Sequence, residues 1–289
     1  KAVDAGHHAI MSPGEYCYLD GYQDAPYSQP EAIGGYLPLQ KVYSYNPVPA
    51  TLSADKVQLI SGVQGNLWTE YIPTPEHVEY MLYPRMMAVA EVGWSAQANR
   101  SWEDFHGRAL KIVEELKQKG YHPFDLSKEI GNRKEAQQPI EHLGLGKKVT
   151  YNAPYWENYP ANGEKTLTDG LRGGWNYNDR LWQGFVTKNR VDVVIDLEQV
   201  TDIHSIGADF MQICGPEVFM PAQVIISVSE DGENYTQLAD LKHEVVRDDA
   251  VSFKNFGWTG SAKARYVRYQ ALASDKFGGV LFTDEIVIQ

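Results

Sequence analysis

Four residues in the first quarter of this chain could do chemistry together: Tyr18, Asp20, Trp68 and Glu70. A phenol, two carboxylates and an indole form a set that suits a sugar, with a flat apolar face to stack on and charged acceptors for hydroxyls. Their setting gives a reason to converge. The run Gly-Val-Gln-Gly-Asn-Leu-Trp-Thr-Glu at 62–70 follows Val57, Leu59 and Ile60 like the end of a buried strand, and Pro73 and Pro75 close it off. The run Tyr-Cys-Tyr-Leu-Asp at 16–20 follows a shorter apolar strand at 8–11. In a parallel α/β barrel, the C-terminal mouths of the strands face one pocket. Spacing alone favours the plainer reading, with Tyr18 and Trp68 as core aromatics and both acids as solvated loop residues.

The elements that must position these residues read strand, loop, helical turn, strand, helix, helix. The stretch 12–35 is a long irregular loop, of a length uncommon unless functional. Residues 51–56 read as a helical turn leading into the strand at Val57. Residues 75–94 read as a helix. Pro75 suits its first turn, Val78, Met81, Leu82, Met86, Val89 and Ala90 fall at helical spacing, and Pro84 should kink it. A second helix spans 101–119, with Phe105, Ala109, Ile112, Val113 and Leu116 as its buried stripe and Gly120 as its stop. Arg85 and Glu91 read as structural braces of the preceding helix. His7 and His8 are not a metal pair, because adjacent side chains of a strand point to opposite faces. Two strands cannot close a barrel, so the segment reads as the tail of an α/β domain.

A net charge of −12 argues against nucleic acid, which needs a basic patch. The aromatic content of 12% suits a carbohydrate-active protein and a β-sandwich core equally. No apolar run is long enough to predict a transmembrane segment. Cys17 and Cys214 fall in different halves and read as free thiols. The chain opens on Lys1 and runs straight into a helix end and a Gly stop. The expectation is that the start of the protein lies upstream, so the lack of a signal peptide says little about export.

Residues 126–146 are polar and read as a linker. From Lys147 onward short strands alternate with turns, at 191–197, 223–229, 264–271 and 280–288, and Asp231-Gly232 signals a hairpin. That spacing predicts an all-β sandwich. The expected organisation is therefore 1–125, linker 126–146, and sandwich 147–289.

Several motifs in order carry a resemblance. Met-Ser-Pro before Tyr-Cys-Tyr-Leu-Asp, then Gly-Gly-Tyr-Leu-Pro-Leu, then Gly-Val-Gln-Gly-Asn-Leu-Trp-Thr-Glu, then Tyr-Pro-Arg-Met-Met-Ala-Val-Ala-Glu-Val-Gly-Trp-Ser closely resemble glycoside hydrolase family 20, the β-N-acetylhexosaminidases. The likeness covers about residues 2–121. It implies the last two strands of a (β/α)8 TIM barrel. It also implies exo-hydrolysis of terminal GlcNAc or GalNAc from glycans without a cofactor. The implied mechanism is retaining and substrate-assisted, with the 2-acetamido oxygen attacking the anomeric carbon to give an oxazolinium. On this resemblance Tyr18 is the catalytic tyrosine that donates to the acetamido oxygen, Trp68 walls the sugar pocket, and Asp20 and Glu70 accept from ring hydroxyls.

One departure matters. The family's Asp-Glu acid pair follows an earlier strand, which these residues do not include. Asp284-Glu285 lies in the far half, and Glu103-Asp104 has the order reversed. The chain alone is therefore expected to be inactive, with the N-terminal part of the barrel as its necessary partner. The whole enzyme is expected to be bacterial and periplasmic, secreted or at the cell surface.

The second half resembles the discoidin, or F5/8 type C, domain, a galactose-binding-like jelly roll shared with carbohydrate-binding module family 32. The likeness rests on Leu-Thr-Asp-Gly at 167–170, Trp-Gln-Gly-Phe at 182–185, Ala-Arg-Tyr-Val-Arg at 264–268 and Leu-Phe-Thr-Asp-Glu-Ile at 281–286. It implies a structural Ca²⁺ held by Asp169 and Glu285, while Asp169 as a plain turn residue remains the alternative. Trp156, Tyr159, Tyr177 and Phe277 could stack on a sugar or pack against the barrel. The sandwich is thus open to two further readings, a glycan-binding module or a structural brace.

Overall fold

The computed structural model describes residues 1–186, 191–248 and 250–289. Its contacts divide the chain into two compact units, Lys1–Gly131 and Asn132–Gln289.

In the first unit, β1 (Ala9–Met11) and β2 (Ile60–Val63) pair in parallel, from Ala9 opposite Ile60 to Met11 opposite Val63. The strand expected from Val57 starts three residues later. Ala54–Leu59 is a 3-10 turn and Val57 is exposed, because the turn begun at Ser53 carries on through it. Within the expected loop, α1 (Gly14–Cys17) is a single short turn, and α2 (Leu39–Ser44) follows further along.

The helix expected at 75–94 is two helices, α3 (Pro75–Leu82) and α4 (Arg85–Trp94), divided at the cis Tyr83-Pro84 peptide. Proline supplies no N–H to the helical ladder, so the break is complete where a kink was expected. The break resets the helical phase. The buried stripe of α4 is Arg85, Ala88, Val89 and Val92, and Ala90 turns outward. In α5 (Trp102–Gln118), Ser101 caps the first turn by accepting the Asp104 N–H. Phe105, Ala109 and Val113 are buried as the spacing predicts, whereas Ile112 lies on the open flank. Leu19, Leu37, Val42, Ala88, Val89, Phe105 and Val113 share one apolar core.

In the second unit β3 (Lys148–Tyr151), β4 (Gln183–Val186), β5 (Val191–Gln212), β6 (Gln223–Ser229), β7 (Thr236–Lys242), β8 (Ser252–Leu272) and β9 (Val280–Ile288) are joined through one ladder. Among the described residues the order is β4-β9-β5-β8-β6-β7, with β3 on β5. The short strands expected at 191–197 and 264–271 are halves of two long ones. β5 and β8 run antiparallel from Val191 opposite Ala271 to Gln212 opposite Ser252, with irregularities between Asp196 and Thr201 and between Ile203 and Ser205. Bulges there let a single strand bend and serve two layers of a sandwich. Alternate residues close the core, among them Val193, Ile195, Ile206, Ala208, Phe210, Val267, Tyr269, Ile286 and Ile288. Asp231-Gly232 sits in the turn between β6 and β7, where the Asp231 carboxylate accepts the N–H groups of Glu233 and Asn234.

The polar stretch 126–146 is built into the units on either side of the division. Leu126 is buried, and Asp24 accepts the N–H groups of Ile130 and Gly131, each at 2.8 Å. Beyond the division, residues 132–146 form a strap along the sandwich. Ile140 N–H donates to Gly170 O at 2.9 Å and Leu143 N–H to Ile288 O at 2.8 Å. Its charged residues read as solvated because their buried partners lie far along the chain.

Candidate functional site

The parallel pairing of β1 and β2 continues past the strand ends. Asn66 N–H donates to Cys17 O and Leu19 N–H to Asn66 O, each at 2.7 Å, so Tyr18 lies opposite Asn66. Side chains lock the same mouth. Ser12 Oγ donates to Gln64 O at 2.8 Å, Asn66 Nδ2 donates to Ser12 Oγ at 2.6 Å, and Gln64 Nε2 donates to Asn66 Oδ1 at 2.8 Å. Gly65 is needed for the close approach, because a Cβ there would meet Met86 at 3.1 Å and Leu19 at 3.3 Å.

This ladder brings the two predicted motifs side by side. Trp68 is 55% exposed and Tyr18 38% exposed, so neither is a core aromatic. Glu70 is exposed, while Asp20 is only 7% exposed. Burial raises the Asp20 carboxyl above the usual carboxylate range; the nearby Glu70 charge pushes it further, and Arg85 opposes the rise. Asp20 Oδ1 is buried and has no hydrogen-bond partner among the described residues. A buried acceptor left unpaired costs about 1–3 kcal/mol, a cost that a hydroxyl donor from outside would remove.

Arg85 is the residue that sequence reasoning undervalued here. It is fully buried, and its guanidinium serves four backbone carbonyls. Nη1 donates to Gly21 O at 3.0 Å and Leu37 O at 3.1 Å, Nη2 donates to Leu19 O and to Met81 O at 2.8 Å, and Nε also donates to Met81 O. Leu19 and Gly21 flank Asp20, so Arg85 sets the backbone that carries the carboxylate. Burial pushes the Arg85 guanidinium down to about 9, with Asp20 opposing. An arginine on an apolar helical stripe was the available signal. Glu91, by contrast, is a brace as expected, accepting from Tyr43 Oη at 3.2 Å and Arg108 Nη2 at 2.7 Å. Cys17 and Cys214 are buried free thiols, and burial pushes Cys17 up to about 11.

In the second unit the expected metal ligands are in place but turned to other work. Asp169 Oδ1 accepts the Leu171 N–H at 2.9 Å, and Oδ2 accepts Asn162 Nδ2 at 3.0 Å. Glu285 Oε1 lies 2.7 Å from His142 Nε2, and Oε2 accepts the Gly170 N–H at 3.0 Å. All four carboxyl oxygens face N–H donors, the wrong polarity for a hard cation that gathers oxygen ligands. Among the described residues no group of three or more His, Cys, Asp or Glu is arranged to hold a metal ion. In this arrangement Asp169 is a turn residue bonded to the backbone two positions on, the alternative to a calcium ligand. Burial pushes Glu285 up to about 9, with Asp169 adding to the rise, and pushes His142 down to about 4.

The four aromatics considered for sugar stacking pack on the sandwich itself. Trp156 lies against Tyr159 at 5.1 Å, Tyr159 and Tyr177 each lie 5.1 Å from Phe282, and Phe277 stacks on Phe219 at 5.2 Å. A buried ion network that sequence reasoning missed lies against Trp182 and Phe253. Arg133 Nη2 and Arg172 Nη2 both lie 2.7 Å from Asp209 Oδ2, and Arg172 Nε lies 3.0 Å from Asp284 Oδ2.

Comparison with known proteins agrees with this division. Residues 1–97 match the sequence model of the glycosyl hydrolase family 20 catalytic domain, and residues 148–286 match that of the F5/8 type C domain. A beta-hexosaminidase of Porphyromonas gingivalis is 49% identical over 105 residues, which span 36% of this chain and 14% of that protein. A beta-N-acetylhexosaminidase of Cellulomonas fimi is 36% identical over 110 residues, 38% of this chain and 22% of that protein. The chain thus matches under a quarter of the length of either relative. Among solved structures, a family 20 exo beta-N-acetylglucosaminidase from Vibrio harveyi is 32% identical, with a TM-score of 0.38 over 44% of this chain and 20% of that one.

Proposed function

Because the chain joins part of a family 20 glycosyl hydrolase catalytic domain to an F5/8 type C domain, we propose that its first unit is the sugar-holding side of a β-N-acetylhexosaminidase active site. The observation that carries this reading is Asp20 Oδ1, a buried acceptor without a hydrogen-bond partner among the described residues; Asp20 and Trp68 each lie two positions past the Tyr18–Asn66 bridge. A ring hydroxyl of a terminal N-acetylhexosamine supplies the donor that Asp20 lacks, and exposed Glu70 takes a second hydroxyl. Trp68 offers its indole to the apolar face of the sugar.

In this reading the reaction is retaining and substrate-assisted. The acetamido oxygen forms a bond to the anomeric carbon as the glycosidic bond breaks, the leaving oxygen takes a proton from a general acid, and water later opens the oxazolinium. Tyr18 donates its phenolic hydrogen to the acetamido oxygen and holds that nucleophile in line. The Asp-Glu acid pair comes from outside these 289 residues.

Two results follow. The purified chain should not hydrolyse an aryl N-acetyl-β-glucosaminide. Turnover that survives repurification would place an acid among these residues and sink the assignment of roles. In the enzyme that contains this segment, Tyr18→Phe should lower kcat/KM by roughly 100-fold, in the range lost with one oriented transition-state donor. A kcat/KM within a few-fold of wild type would remove Tyr18 from the chemistry. For the second unit, the packing of Trp156, Tyr159, Tyr177 and Phe277 on the sandwich's own aromatics favours a structural role over sugar stacking.

A further inference from the structure

The side chains of His142 and Glu285 are completely enclosed, 143 residues apart in sequence and 2.7 Å apart in space. The proton on the imidazole can be placed from its surroundings. Nδ1 lies 3.2 Å from the Gly144 N–H and 3.3 Å from the Ile288 N–H, both donors. A ring nitrogen that accepts must keep its lone pair, so the hydrogen belongs on Nε2 and the ring is not an imidazolium. His142 Nε2–H therefore donates to Glu285 Oε1.

This one imidazole ties the strap to β9 at two points, and Glu285 carries the tie on to a third piece, the 167–170 loop. The ring belongs to the strap, its Nδ1 accepts from β9 at Ile288, and its Nε2–H reaches β9 again at Glu285. Glu285 Oε2 in turn accepts the Gly170 N–H, and Gly146 N–H donates to Thr168 O at 2.7 Å, which holds the Leu-Thr-Asp-Gly loop to the same strand and strap. A bound divalent cation between Asp169 and Glu285 would join that loop to that strand in the same way, through oxygen ligands. Here the position facing Glu285 is taken by an N–H.

We propose that His142 replaces a structural cation in this sandwich, latching the 167–170 loop and the strap to β9 so that the fold is independent of calcium. The inference concerns the second unit and does not rest on the hexosaminidase reading.

The test uses the full chain. Titration of the wild-type chain with calcium chloride should give no saturable binding, and the sandwich should melt at the same temperature in calcium chloride and in EDTA. His142→Ala should lower that melting temperature by several degrees in both solutions, and His142→Gln, whose amide keeps an N–H donor, should recover part of the loss. The ¹⁵N resonances of the His142 ring should show an unprotonated Nδ1 and a protonated Nε2. Saturable calcium binding with a raised melting temperature would overturn the proposal, as would a His142→Ala chain that melts like wild type. If His142→Ala does not fold, the wild-type titration and the ring resonances decide: no calcium binding with a protonated Nε2 upholds the latch, and either opposite result sinks it.

Discussion

Replacing Arg85 by methionine is expected to destabilise the first unit by about 3–5 kcal/mol, the range for breaking a buried, hydrogen-bonded charge. The volume is nearly kept, so a cavity is a small part of the loss. The larger part is the carbonyls of Leu19, Leu37 and Met81, which lose their side-chain donor in a buried setting, and that of Gly21, which loses it in a part-buried one. Lysine should not rescue, because a single ammonium cannot reach four carbonyls in the fan that a planar guanidinium provides. A pH signature should accompany the loss. The Asp20 carboxyl already stands above its ordinary range, and removing the Arg85 charge raises it further. The folded state then binds the Asp20 proton more tightly than the unfolded state does. Stability therefore falls as pH rises from the ordinary carboxylate range through the raised folded value, and it falls more in the variant than in wild type. Urea unfolding at several pH values measures this, and amide exchange at Leu19 and Leu37 should report the loosening locally. A variant within about 1 kcal/mol of wild type would mean that the four carbonyls find water and that Arg85 does not set the Asp20 backbone.

Asp284→Ala should cost the sandwich a similar amount, about 3–5 kcal/mol, because it leaves buried cations short of a counter-charge. Asp284 is fully enclosed. Its Oδ2 accepts from Arg172 Nε and from the Gly173 N–H, each at 3.0 Å, and lies 3.9 Å from Arg133 Nη1. Asp209 would then stand between both guanidinium groups, with Glu135 at 3.7 Å from Arg133 Nε. Burial, opposed by Arg172 and Arg133, leaves the Asp284 carboxyl above its ordinary range. Asp284→Asn, which keeps an oxygen acceptor and removes only charge, should therefore lose less than Asp284→Ala. At the usual ratio of roughly 2–4 °C per kcal/mol for a domain of this size, the alanine variant should melt about 10 °C lower. Equal melting of the alanine variant and wild type would show that the network is not a determinant of stability. The asparagine comparison separates charge from hydrogen bonding. The same residue shows why Asp284-Glu285, the chain's sole Asp-Glu dipeptide, is no catalytic pair: both carboxyls are committed to holding the sandwich together.

Local periodicity determined much of this protein in advance. The stripe of α5 at Phe105, Ala109 and Val113 and the alternation of β9 at Ile286 and Ile288 are visible in a window of a dozen residues, since each depends on neighbours three, four or two positions away. The ordered motifs around Tyr18 and Trp68 were legible for a related reason: each is a compact strand end with its chemistry attached. What failed did so where distant residues decide. The phase of α4 was misread at Ala90 because Pro84 restarts the helix, and the strand at Val57 gave way to a turn begun upstream. The strap read as linker because Arg133 and His142 find Asp209 and Glu285 more than 70 residues away. Calcium at Asp169 and Glu285 was implied by the family resemblance alone, whereas the N–H groups that meet these carboxylates belong to Asn162, Gly170, Leu171 and His142. The amino-acid sequence thus determined which elements form and which residue types stand at their ends. The partners of the buried charges were decided by tertiary structure, because Coulombic and hydrogen-bond satisfaction depends on distance in space and leaves no period along the chain.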